Sequence, residues 1–156
     1  MRAKFPVTVH LLFFRGNQVL LLRRFNTGFE DGNYSVPAGH LDGGETVRMA
    51  AVREAQEEIG IHIDVENVAF AIVMHRRSDD TLLPLSGTGA GTSERVDFFL
   101  HIKDWDGEPF NAEPEKCDEL AWWELNVLPE NIIPYVRRAI RNYHQRILYD
   151  EFGWES

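Results

Sequence analysis

Apolar positions along the chain change period at a few places, and each change predicts an element. From Phe5 to Phe14 they are nearly continuous (FPVTVHLLFF), and Gln18 to Phe25 repeats the pattern as VLLL before Arg23 and Arg24. Short apolar runs rich in β-branched and aromatic residues predict strands. Arg15-Gly16-Asn17 lies between them, and Gly16 and Asn17 tolerate positive φ, so the two runs are expected to form a hairpin. From Glu45 to Ile59 the period becomes helical: Ala51, Val52, Ala55 and Ile59 fill one arc at about 100° per residue. Thr46 is placed to cap this helix and Gly60 to stop it. Ile61 to Met74 predicts one or two strands ending at Arg76 and Arg77, and Arg95 to Ile102 (RVDFFLHI) another. Between them, Ser78–Glu94 (SDDTLLPLSGTGAGTSE) predicts a long mobile connection, either a lid or a surface insertion. After a turn at Trp105–Pro109 and an acidic loop at Asn111–Asp118, Leu120–Leu125 (LAWWEL) predicts a last strand. Pro129 and Glu130 then open a final helix to about Tyr149, with Ile133, Val136, Ile140 and Ile147 at helical spacing. Strands on both sides of an amphipathic helix, with a second helix at the end, predict an α/β fold in which helices pack on a mixed sheet.

Composition narrows the function. A chain of 156 residues, 44% hydrophobic and 26% charged, is expected to form one domain over 1–156. Its net charge of −9 argues against a partner such as polymeric nucleic acid, but not against a single nucleotide. No apolar run is long enough to span a membrane, and the N-terminal one is interrupted by His10 and ends at Arg15. The one cysteine, Cys117, fits a reducing cytoplasmic compartment and has no His at catalytic spacing. Arg137, Arg138, Arg141 and Arg146 form the polar face of the final helix; a solvated face is the plain reading, and a homodimer or phosphate contact the alternative.

The chemistry concentrates in Gly39–Ile61, GHLDGGETVRMAAVREAQEEIGI. Glu54, Glu57 and Glu58 stand at i, i+3 and i+4, so their carboxylates share one arc of the helix. Like charges so placed cost a helix about 0.2–0.5 kcal/mol per pair. A hard divalent cation offsets that repulsion and suits carboxylate oxygens.

The same residues carry a family resemblance. Gly39, Glu45, Arg53, Glu54, Ala55, Glu57, Glu58, Gly60 and Ile61 match the Nudix signature G-x5-E-x7-R-E-U-x-E-E-x-G-U, nine fixed positions in 23 residues, with Ala55 where a bulkier aliphatic is usual. Tyr34-Ser35-Val36-Pro37-Ala38-Gly39 resembles the family's W-x-[FLV]-P-G-G segment, with Tyr34 for Trp and Ala38 for Gly. The resemblance implies the Nudix fold, an α/β/α sandwich, and Mg²⁺- or Mn²⁺-dependent hydrolysis of a phosphoanhydride in a nucleotide. It implies Glu54, Glu57 and Glu58 as metal ligands or base, the Gly39 carbonyl as a further ligand, and Glu45 and Arg53 as supports of the catalytic loop. GEPFNAE resembles a segment of MutT-type members whose last glutamate approaches the metal, which adds Glu113 to the ligand set. The general base is left between a helix carboxylate and an acidic residue of that later loop. Arg23, Arg24 and His40 are candidate phosphate contacts, and Tyr34, Phe110, Trp122 and Trp123 candidate stacking partners for a base.

Subfamily markers favour one substrate class. The proline usual in ADP-ribose hydrolases is absent from His75–Ser78, and the dinucleoside polyphosphate, coenzyme A and NADH markers are absent too. What remains resembles a MutT-type pyrophosphohydrolase of nucleoside triphosphates. ADP-ribose or another nucleoside diphosphate derivative is the alternative substrate, and a nucleotide sensor without turnover is the alternative class.

Overall fold

The computed structural model describes residues 2–78 and 93–155. Among the described residues, nine strands and two α-helices follow one another as β1 (Val7–Leu12), β2 (Phe14–Arg15), β3 (Gln18–Arg24), β4 (Tyr34–Ser35), β5 (Ala38–His40), α1 (Val47–Ile59), β6 (Val68–Ser78), β7 (Ser93–Ile102), β8 (Cys117–Glu124), α2 (Pro134–His144) and β9 (Tyr149–Phe152). A five-stranded sheet runs β5-β1-β7-β6-β9. It is mixed: β1 pairs parallel to β7 and antiparallel to β5, and β6 pairs antiparallel to β7 and parallel to β9. In a second sheet β3 pairs antiparallel with β2, β4 and β8.

The alternation of β1 divides the core. Val9, Leu11 and Phe13 face one side, where Ala50, Ala51, Ala55 and Ile59 of α1 cover them. Leu12 faces the other, with Ile72, Met74 and Phe99, beneath Val136, Ala139 and Ile140 of α2. The expected sandwich of helices about a mixed sheet is what forms.

Three expectations need correction. The hairpin exists only between Phe14–Arg15 and Gln18–Val19. β1 itself belongs to the other sheet, because a strand buried on both faces takes two partners, and its apolar run does not say which. The final helix is Pro134–His144, not Pro129–Tyr149. Arg146 ends it in the left-handed region (φ 57), and Tyr149–Phe152 turns back as an edge strand, anchored where Asp150 accepts from Arg138 Nε and Nη2 at 2.6 and 3.0 Å. Arg137 donates to Pro129 O, so two of the four basic residues of that face are engaged within the chain. Lastly, β6 passes Arg76 and Arg77 to Ser78, and β7 starts at Ser93. The rest of the connection expected to be mobile lies outside the described residues. No helix among the described residues is long and apolar enough to cross a membrane.

Candidate active site

α1 begins and ends as its sequence dictates. Thr46 Oγ1 accepts from Met49 N at 3.1 Å, and Gly60 leaves the helix at φ 65 while donating to Gln56 O. The carbonyls at this end are met by the later loop: Phe110 N donates to Ile59 O and Ala112 N to Glu58 O, both at 3.1 Å. That docking carries Glu113 to the helix, where its charge raises the pKa of both Glu54 and Glu58.

Arg53 organises the acidic wall. It forks onto Glu45 (Nη2–Oε1 2.7 Å, Nε–Oε2 3.1 Å), reaches Glu54 Oε1 at 2.7 Å and Glu57 Oε2 at 3.3 Å, and donates to His40 O. Glu45 also accepts from Asp42 N at 2.8 Å. These bonds hold Glu45 below the usual carboxylate range and raise Arg53 well above its ordinary value. The helix and the loop before it are thus clamped together.

The glutamates differ in setting. Glu57 is exposed, whereas Glu54 is buried at 7% exposure. Glu58 is half-buried and accepts from Ala38 N at 3.0 Å. Burial, with the charge of Glu54, pushes Glu58 up to about 8. Burial raises Glu54 as well, against the pull of Arg53. Gly39 makes room for this arrangement: a Cβ there would overlap the Glu54 carboxylate. The Gly39 carbonyl itself is not turned to the helix. Leu11 N donates to Pro37 O and Leu41 N to Val7 O, and Val9 pairs with Gly39 between them, so the peptide groups of Gly39 face β1. Those of Ala38 and His40 point outward, where the Ala38 N–H meets Glu58 and the His40 carbonyl meets Arg53.

Among the described residues, no three His, Cys, Asp or Glu side chains stand as a ready-made metal cage. Arg53 holds Glu54 and Glu57, and Ala38 holds Glu58. The donors nonetheless fit a hard cation: oxygen ligands only, two of them carboxylates whose pKa is raised by burial and mutual repulsion.

The wall lines a cleft of about 990 Å³. Lys4, Arg24, Arg95 and Lys116 bring positive charge to it, and Phe29 and Tyr135 are its aromatic residues. Arg24 and His40 line it as expected. Arg23 does not; it pairs with Asp118 at 2.7 Å and Glu119 at 3.6 Å on the alternate face of β3. The four aromatics expected to stack on a base do not line it either. Tyr34 is buried edge-on to Trp123, Trp122 stacks on Trp105 beneath Arg15, and Phe110 lies over Gly60. Cys117 lines the cleft, and burial pushes its thiol up, which leaves it unreactive.

Sequence reasoning passed over the floor. Thr8 and His10 of β1, Asp97 of β7 and Arg76 of β6 are all buried. His10 Nε2 lies 3.0 Å from Asp97 Oδ1, and Arg76 Nε 2.6 Å from Asp97 Oδ2. The signal was there in part: Thr8 and His10 are two polar residues at strand spacing inside an apolar run.

Comparison with known proteins agrees with this geometry. The chain is 40% identical over 150 residues to an ADP-ribose pyrophosphatase of Methanocaldococcus jannaschii, covering 96% of this chain and 75% of that one. It is 26% identical over 135 residues to the NAD-capped RNA hydrolase NudC of Chromobacterium violaceum, spanning 85% of this chain but only 44% of that longer protein. Its fold superposes on the crystal structure of a MutT NUDIX hydrolase from Burkholderia pseudomallei with a TM-score of 0.73 at 24% identity, over 89% of this chain and 98% of that one. A family model described as the NUDIX domain matches residues 4–143, and the chain belongs to that family of hydrolases of phosphoanhydride bonds.

Proposed function

We propose that the protein is a divalent-cation-dependent pyrophosphohydrolase that splits a nucleoside triphosphate between the α and β phosphorus, giving a nucleoside monophosphate and pyrophosphate, and that it works as one domain on free nucleotides in the cytoplasm. The observation that carries this reading is the presence of both charges in one cleft. Glu54, Glu57, Glu58 and Glu113 line it with Lys4, Arg24, Arg95 and Lys116, in a chain of net charge −9. A polyanion suits such a cleft only if cations stand between it and the carboxylates.

Glu54, Glu57, Glu58, Glu113 and the Ala38 carbonyl would hold Mg²⁺ or Mn²⁺. When bound, the cation neutralises phosphate charge and makes water more acidic. The chain's own groups do the rest. Arg24 offers a planar fork to phosphate oxygens, and its present partners, Phe29 O and Thr27 Oγ1, are neutral. Arg53 keeps the loop and helix in register. A carboxylate of the site, on the helix or Glu113 of the later loop, takes the proton of the attacking water.

A second reading has its own support. The 40% identical relative bears the name ADP-ribose pyrophosphatase. With ADP-ribose, the same site would release two monophosphates. ³¹P NMR of products from a panel of triphosphates, ADP-ribose and nucleotide sugars separates them. Pyrophosphate from a triphosphate is expected. Orthophosphate with a diphosphate refutes the cleavage site, turnover of ADP-ribose alone selects the second reading, and tight binding without turnover makes the protein a sensor.

A further inference from the structure

The floor of the cleft contains two buried polar atoms with nothing to bond to. Thr8 is 6% exposed and His10 2% exposed. Both line the cleft, and among the described residues neither Thr8 Oγ1 nor His10 Nδ1 has a hydrogen-bond partner. Such atoms are few in folded proteins and costly to keep. They are neighbours, because residues two apart on β1 face the same side.

The His10 ring is held from all sides. It stacks on Phe99 at 4.5 Å between centroids and meets Tyr135 edge-on at 5.7 Å. Nε2 is fixed on Asp97, and Asp97 on Arg76, whose guanidinium lies 3.7 Å over the Tyr135 ring. The charged groups that act on this ring are Asp97, Arg76 and Arg95. Burial depresses the pKa of His10, while the Arg76 guanidinium and the hydrogen bond from His10 hold Asp97 below its ordinary value, so the pair is a neutral imidazole against an ionised carboxylate. An ionised Asp97 can only accept, so the ring hydrogen sits on Nε2 and Nδ1 presents a lone pair. A phosphate oxygen has no proton to offer it. What meets Nδ1 must donate.

We propose that Thr8 and His10 form a recognition subsite for an uncharged hydrogen-bond donor of the substrate's nucleoside, a base N–H or a sugar O–H. His10 Nδ1 accepts that hydrogen, and the Thr8 hydroxyl, which both donates and accepts, bonds the polar atom next to it. Asp97 and Arg76 are positioning residues that fix the ring and its tautomer. The subsite adjoins the acidic wall: His10 pairs across β1 and β5 with Ala38, whose N–H binds Glu58. A nucleoside there has its phosphates at the carboxylates, in keeping with a cut next to the nucleoside. The assignment rests on the function proposed above.

The test compares binding of analogues that differ in one donor. Non-hydrolysable α,β-methylene triphosphates of inosine and uridine are titrated calorimetrically in Mg²⁺ against their ring-N-methylated, 2′-deoxy and 3′-deoxy counterparts. His10→Phe fills the place of the ring and removes the acceptor, leaving Asp97 to Arg76; Thr8→Val removes the hydroxyl at constant shape. The wild type is expected to bind one kind of donor-less analogue about tenfold more weakly than its parent, and which kind does so tells base from sugar. In His10→Phe the parent Kd rises about tenfold and the contrast falls to near one; Thr8→Val, with melting temperature retained, gives the same direction if His10→Phe does not fold. A contrast unchanged in the variants, or absent in the wild type, overturns the subsite while leaving the function standing. No binding of any analogue overturns both.

Discussion

The cleft has two polar regions built on opposite plans. The acidic wall draws Glu45, Arg53, Glu54, Glu57 and Glu58 from one loop and one helix, and its negative charges outnumber the arginine that holds them. The floor draws four residues from three strands, His10 standing 87 positions from Asp97 and Arg76 21 positions from it, and its one carboxylate is met by a guanidinium. The wall is under-compensated by the one arginine that holds it. On the floor Asp97 is met by Arg76 and His10, and among the described residues Thr8 Oγ1 and His10 Nδ1 remain without a hydrogen-bond partner. The difference teaches that a surplus of one charge marks where an ion goes, whereas a balanced cluster with spare neutral hydrogen-bonding atoms marks where a ligand is read.

Substitutions can break this contrast, the largest expected effect first. Arg76→Met strips Asp97 of its buried guanidinium and should cost about 3–5 kcal/mol in urea unfolding. Glu57→Gln should be near neutral in the same measurement without metal, since it removes an exposed charge among like charges. A comparable loss from Glu57→Gln would mean the wall is a structural ion-pair network. In activity the order reverses: Glu57→Gln or Glu58→Gln should lower kcat at least about a hundredfold, equivalent to about 2.7 kcal/mol, and full turnover in excess EDTA would end the metal assignment. Next comes Gly39→Ala. Its methyl displaces the Glu54 carboxylate, so steady-state assays should show a loss of about ten- to a hundredfold.

Acid titration sharpens the comparison most gently. The folded pKa of His10 lies below its ordinary 6.5, so the unfolded chain binds the proton first. Stability from this group is intact above 6.5 and is lost as pH falls toward the folded pKa, at no more than about 1.4 kcal/mol per pH unit. Asp97, held at about 2 against an ordinary 3.8, adds stability that is present above 3.8 and lost on passing below it to 2. From pH 7 to 5 the raised pKa values of Glu58 and Glu54 add stability as the pH falls, so the His10 contribution is read as a difference: the wild type should lose more, or gain less, urea stability than His10→Phe. An identical change in both would place the sensitivity elsewhere.

The contrast also explains what the sequence made legible. The wall was readable because its chemistry needs one helix, so its residues keep fixed spacing. Thr46, Gly60 and the glutamates all stand where that spacing put them. The floor was unreadable because a lone polar residue in an apolar strand carries no sign of its partner. Arg76 looks like a strand end until β6 is seen to continue past it beside β7. The hairpin failed for a related reason, as β1 and β3 are apolar on both faces and their runs do not encode a neighbour. The last helix was drawn too long because Ile147 continues its period, while the stop lies in the backbone at Arg146.

Strand β5 has one more consequence. It is the outer strand of the five-stranded sheet, and its outward peptide groups are those of Ala38 and His40. A bare sheet edge is a template on which another chain can add a strand, the first step of aggregation. Here the Ala38 N–H is taken by Glu58 and the His40 carbonyl by Arg53. The side chains that assemble the catalytic wall therefore also close the sheet to foreign strands, and variants stripped of them are expected to lose solubility along with activity.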